Sequence, residues 1–193
     1  MRARGPATAA LVTATLLLGG APALAASFAL APADQEAALR VGQRSVTNDA
    51  FDAEWRVANG AGDSVMVVTP FHRLVMAGRH AAFRNEKLPP DEPARLLREQ
   101  QDRLIVRTQL RGPREDFARY LAPRLVVGER EIEPAFVQNE RTAGRLENGA
   151  YLARCVYGFP TRDLTGRSRV LLIVRDPEGR DVSRFTIDLA RMR

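Results

Sequence analysis

Histidine, cysteine and paired carboxylates are the residue types in this chain that could move protons, hold a metal or attack a carbon. The two histidines, His72 and His80, stand eight positions apart. On a helix that spacing is a rise of about 12 Å, at roughly 1.5 Å per residue, and an angular offset of about 80°. The pair therefore cannot ligate one metal ion, and each is expected as a surface residue of an amphipathic helix. The single cysteine, Cys155, lies in Tyr151-Leu-Ala-Arg-Cys-Val-Tyr-Gly-Phe159. Alternation puts it on one strand face with Tyr151, Ala153, Tyr157 and Phe159, the setting of a small buried hydrophobe. No histidine stands in a recognisable partner motif for a catalytic thiol. Asp52 and Glu54 have Arg56 beside them and read as a solvated strand face. Glu129, Glu131 and Glu133 lack the Asp, Asn and Gly pattern of a calcium loop.

None of G-x-S-x-G, G-x-x-x-x-G-K-[ST], H-E-x-x-H or C-x-x-C occurs. The reading is thus of a chain with no marked catalytic residue, no metal and no cofactor. The segment best suited to binding is the loop from Asn85 to Pro93, polar and stiffened by three prolines. Lys87, Leu88, Pro89, Pro90 and Asp91 are the candidate binding residues, because a rigid loop loses less entropy on association.

The elements that must position this loop are mostly strands. Phe51 to Ala58 alternates, with Phe51, Ala53, Trp55 and Val57 on one face. The turn Asn59-Gly-Ala-Gly-Asp63 and the run Ser64 to Val68 complete an expected hairpin. The period then changes. Thr69 can cap a helix and Pro70 suits its first position. Phe71, Leu74, Val75, Gly78 and Ala82 fall on one helical stripe. Glycine inside a helix costs about 1 kcal/mol against alanine, so Gly78 predicts close packing of this helix on the sheet. Ala94 to Gln101 predicts a second short helix. Alternation returns from Asp102 to Leu110, with Leu104, Val106, Thr108 and Leu110 inward. Arg114 to Tyr120 reads as a turn of helix, Arg124 to Glu133 as a tight hairpin, and Val137 to Asn148 as a polar loop. At the end, Ser168 to Arg175 and Arg180 to Leu189 flank the turn Asp176-Pro-Glu-Gly179. The first of these strands is apolar on both faces and belongs inside a sheet. In the second, Phe185, Ile187 and Leu189 share one face and Arg184, Thr186 and Asp188 the other, the pattern of a half-buried strand nearer the outside of the fold.

The first 25 residues read as a secretory signal peptide. Arg2 and Arg4 form the positive start, Ala9 to Leu18 is a short apolar run broken by Gly19, Gly20 and Pro22, and Ala23-Leu24-Ala25 is a cleavage site. The run is too short to span a bilayer, and no later run approaches that length, so no transmembrane segment is expected in the mature chain. Residues 26–48 read as an N-terminal lead-in, with Ala33 to Val41 either helical or loose, and residues 49–193 as one domain with a helical insertion over 70–101. The chain has a formal charge of +6. Lys87 is its only lysine, and the arginines are scattered singly rather than clustered as a nucleic-acid surface requires. Partners are therefore expected among envelope proteins or small ligands, and not nucleic acid.

About seven strands with short turns predict a mainly β fold, an antiparallel sandwich carrying an inserted amphipathic helix and a second short helix. An open sheet with helices on one face is the rival. Val67-Val-Thr-Pro-Phe71, Tyr157-Gly-Phe-Pro160, Val170-Leu-Leu-Ile-Val174 and Phe185-Thr-Ile-Asp-Leu189 together resemble uncharacterised exported bacterial proteins with an immunoglobulin-like C-terminal β-sandwich. The resemblance implies an immunoglobulin-like fold and no activity. Three roles stay open: a non-catalytic binding or structural module of the envelope, a carrier of a small apolar ligand, and an enzyme with an unmarked site. Cleavage between Ala25 and Ala26 predicts that the exported protein begins at Ala26, with an intact mass lacking residues 1–25. A mass that retains them would make the segment an uncleaved anchor.

Overall fold

The computed structural model describes residues 26–193. The expected signal segment, including the Ala25 side of its cleavage site, lies outside the described residues. The first element is helix α1 (Pro32–Arg44), followed by a 3₁₀ turn at Ala53–Trp55 and strand β1 (Arg56–Ala58). Strand β2 (Ser64–Val68) leads into helices α2 (Pro70–Phe83) and α3 (Glu92–Gln100). Then come β3 (Arg103–Gly112), β4 (Ala122–Val127), β5 (Arg130–Ile132) and β6 (Phe136–Gln138). The last strands are β7 (Gly144–Arg145), β8 (Tyr151–Pro160), β9 (Arg169–Arg175) and β10 (Asp181–Asp188).

The fold is mainly β. One antiparallel sheet has the order β1-β2-β3-β8-β6, with β7 also on β8; the other has the order β10-β9-β4-β5. Side chains alternate across each strand, and the inward sets meet in one core. Leu104, Val106 and Leu110 of β3, and Ala153, Cys155, Tyr157 and Phe159 of β8, join Leu172 of β9 and Phe185 and Ile187 of β10 in it. Strand β9 lies inside its sheet and β10 at the edge, as their patterns require. Gly179 closes their hairpin at φ +79°, a backbone that glycine adopts without strain.

Several local expectations are corrected. The run before Ala58 is not one strand: Ala53–Trp55 forms a 3₁₀ turn and only Arg56–Ala58 pairs with β2. Trp55 is nevertheless fully buried. Residues 115–120 form turns without a helix. The polar stretch after Val137 contributes two short edge strands, β6 and β7, both paired with β8. Their brevity and polarity left no alternation to read.

Helix α1 is present and packs on α2, not on open solvent. Close approach is possible because both helices carry glycine at the crossing. A Cβ on Gly42 would come within 2.1 Å of the Val75 carbonyl oxygen, and one on Gly78 within 2.7 Å of the Leu39 carbonyl oxygen. The expected contact of Gly78 with the sheet is thus replaced by contact with α1. Helix α2 is buried on two sides, so His72 and Ala81 are buried along with Phe71, Leu74, Val75 and Gly78 of the predicted stripe, while Ala82 is only half-buried. Ala26 is docked too, its N–H donating to the Leu189 carbonyl at 3.0 Å.

Gly78→Leu is expected to separate α1 from α2 and destabilise the protein by about 1–3 kcal/mol, the usual cost of overpacking. Urea unfolding measures this. A wild-type midpoint would show that the helices do not depend on this crossing.

Candidate functional site

The N-terminus of α2 is assembled by hydrogen bonds from distant parts of the chain. Thr69 caps the helix, its Oγ1 accepting from the His72 N–H at 3.0 Å. The Thr69 hydroxyl also donates to the main-chain oxygen of Arg193. That oxygen accepts a second bond from Trp55 Nε1 at 2.8 Å. The Arg193 guanidinium lies over the Phe71 ring at 5.1 Å and binds Glu54 through two contacts, 2.9 and 2.7 Å. Glu54 therefore faces a guanidinium, and Asp52 is held by Arg56 at 2.7 Å. Of the other carboxylates, Glu131 pairs with Arg175 and Glu133 with Arg124.

This anchoring puts His72 in an unusual position. It is 2% exposed, and its ring lies 4.6 Å from that of Trp55. Among the described residues neither Nδ1 nor Nε2 has a hydrogen-bond partner. The sequence reading placed His72 on the surface; the structure overturns that. Burial against α2's second packed side was not legible from a single helical stripe. His80 is exposed as expected.

His72 lines a cleft of about 450 Å³ between α2, the following loop and α3. That volume is in the range of small-molecule sites, roughly 300–1,000 Å³. Of the candidate binding residues, Lys87, Leu88 and Pro89 line the cleft; Pro90 and Asp91 do not. The cleft also takes in His80 and two residues that sequence reasoning missed, Arg73 and Arg107. Arg73 binds Glu99 of α3 at 3.1 Å, yet its Nε is buried without a partner. Arg107 comes from the outward face of β3, which separates it by more than 30 residues from His72 in sequence. No local spacing could have joined them. Gln100 of α3 is buried behind Val68 of the cleft wall, its Nε2 donating to the Val68 carbonyl while Oε1 has no partner among the described residues.

No family model matches the chain, and no curated protein matches it. Among solved structures it is similar to a novel protein of unknown function from Burkholderia pseudomallei. That likeness has 12% identity, covers 81% of this chain and 90% of that one, and has a TM-score of 0.43. It carries neither a fold nor an activity to this chain.

The remaining chemistry is sparse. Cys155 is 1% exposed on the inner face of β8, and burial pushes its thiol pKa up, which disfavours the reactive thiolate. Among the described residues no group of three His, Cys, Asp or Glu could hold a metal ion. No helix among them is long and apolar enough to cross a membrane. The cleft can bind through neutral and cationic donors, and its one buried titratable ring is His72. Burial lowers the His72 pKa from 6.5 to about 4, with Asp52 opposing and Arg107 adding to the shift.

This shift has a stability consequence. Above about pH 6.5 the ring is neutral in both folded and unfolded chains. Between about 6.5 and 4 only the unfolded chain takes up the proton, so stability falls as pH falls. At roughly 1.36 kcal/mol per pKa unit the loss reaches about 3 kcal/mol. Urea unfolding across this range is expected to show the slope in the wild type and to lose most of it in His72→Phe. An unchanged slope in the variant would show that His72 does not carry it.

Proposed function

We propose that this protein is an exported, non-catalytic binding module of the cell envelope, and that the cleft between α2, the loop after it and α3 is its ligand site. One observation carries the reading: His72 stands in the cleft wall, buried, with both ring nitrogens unpartnered. A buried polar group without a partner costs about 1–3 kcal/mol, and a bound ligand offers the missing hydrogen bond. Arg73 Nε and Gln100 Oε1, unpartnered near the same cleft, support it further. Among the described residues that line the cleft there is no serine, threonine or cysteine to pair with a histidine, which favours binding over turnover.

The finer fold reading is an immunoglobulin-like sandwich, and the strand order supports it. Such sandwiches pair strands A-B-E-D in one sheet and C-F-G in the other. Taking β2, β3, β8 and β6 as A, B, E and D reproduces the first sheet, and β4, β9 and β10 as C, F and G the second. Strand β5 then extends the second sheet beside C. In this frame α2 and α3 are an insertion between the first two strands, and the insertion builds the cleft. Export is supported by the A-x-A site and the short apolar run before it.

Protein isolated from its native envelope is expected to carry a small-molecule adduct in native mass spectrometry, released on unfolding. Replacing residues 87–91 with a Gly/Ser segment of equal length is expected to remove the adduct and leave stability within about 0.5 kcal/mol, as for surface changes. Full retention of the adduct by the replacement contradicts the site. A wild-type protein that is isolated bare contradicts it too.

A further inference from the structure

We infer that the ligand of this cleft is an amphipathic acid, an apolar body with an anionic head, and that Arg107 receives the head. The inference rests on the cleft being a ligand site and adds the class of ligand. The charges of the wall point to an anion. Its two carboxylates are already taken, Glu86 by Arg84 at 3.4 Å and Glu92 by Arg95. Its cations are in excess: Arg73, Arg84, Lys87 and Arg107 all line it. Among the described residues, Lys87 and Arg107 are in no ion pair, while Arg73 and Arg84 are each bound to a glutamate. A guanidinium matches a carboxylate or phosphate through two parallel hydrogen bonds. A cationic ligand would add to charge that is already uncompensated.

Arg107 also has the right place. It is the residue shared by the cleft and by a second hollow, of about 360 Å³, on the outer face of the sheet. In register it stands between Met66 of β2 and Val156 of β8. Arg154 is one diagonal step away, opposite Gln109, and both line the hollow with Arg56 and Ser64. Cross-strand diagonals of this kind are about 7–8 Å apart, so Arg154 reinforces the positive potential at Arg107. His72 and Arg107 line the same cleft, so a head seated on Arg107 shares that cleft with the unpartnered ring. Behind it, Met76, Ala77, Leu88 and Leu96 offer apolar wall for the body.

Trp55 is the only tryptophan and its ring lies 4.6 Å from that of His72, tilted by 50°, so its fluorescence reports the cleft. Decanoate, decyl phosphate and decanol are titrated into the full chain below their aggregation concentrations. At least one acid is expected to give a saturable change at a concentration about tenfold below that of decanol, the factor equivalent to roughly 1.4 kcal/mol. Tighter binding of decanoate assigns a carboxylate head, and tighter binding of decyl phosphate a phosphate head. Arg107→Gln, an exposed position, is expected to weaken the acid about tenfold and leave decanol unchanged. Equal affinity for the acids and decanol, or an acid affinity untouched by Arg107→Gln, overturns the inference and leaves the cleft a ligand site. Loss of decanol binding together with acid binding in the variant also overturns it. No saturable change with any probe overturns the inference, and the adduct in native mass spectrometry then decides the ligand site by itself.

Discussion

Thr69 is fully buried, and through it the start of α2 is tied to the rest of the molecule. Its oxygen satisfies the orphan N–H of His72, and its proton goes to the same Arg193 oxygen that holds the Trp55 indole. Losing a helix cap costs about 1 kcal/mol in general. Here the cap has a second effect, because it fixes the rotation of α2 about its axis. With Phe71 under Arg193 and the Gly42–Gly78 crossing closed on α1, the helix cannot turn His72 out to water. The unsatisfied ring is a consequence of these anchors. Once α2 is set this way, α3 and the intervening loop have only one flank left to cover, and they cover it incompletely. The cleft is what remains.

The two sheets serve the cleft as a rigid frame. Strand β3 is the element that joins core and site, because its inward residues Leu104, Val106 and Leu110 lock it to the second sheet. Arg107 points the other way from that locked strand, and ten residue pairs with β8 hold its position. The strand fixes where the Arg107 side chain leaves the backbone, and among the described residues no carboxylate occupies its guanidinium. That suits a binding site, since the group that meets the ligand starts from a fixed point and is free to pair.

Alternation made β3, β8 and β10 readable, because period-two patterning on long strands leaves few other solutions, and β9 was readable as an apolar run ahead of a turn. Thr69-Pro70 gave the α2 start for the same kind of local reason. The loop with Lys87, Leu88 and Pro89 was also legible, from its prolines and polarity. Three things were not. The Trp55 segment alternates like a strand but turns as 3₁₀, since only three residues find a partner in β2. Gly78 signalled close packing without saying whether a sheet or a helix lay opposite. His72 and Arg107 come to one cleft only through the β2–β3 pairing and the docking of α2, and no window of sequence contains that arrangement.

Nitrogen NMR of the imidazole groups tests the central claim most directly, because the chain has only two histidines and His80 is exposed. At pH 7 the account predicts that His72 is neutral and that its ring nitrogens shift on saturation with decanoate while His80 moves less. A charged His72 at pH 7, or a His72 signal that stays fixed while ligand binds, would contradict it.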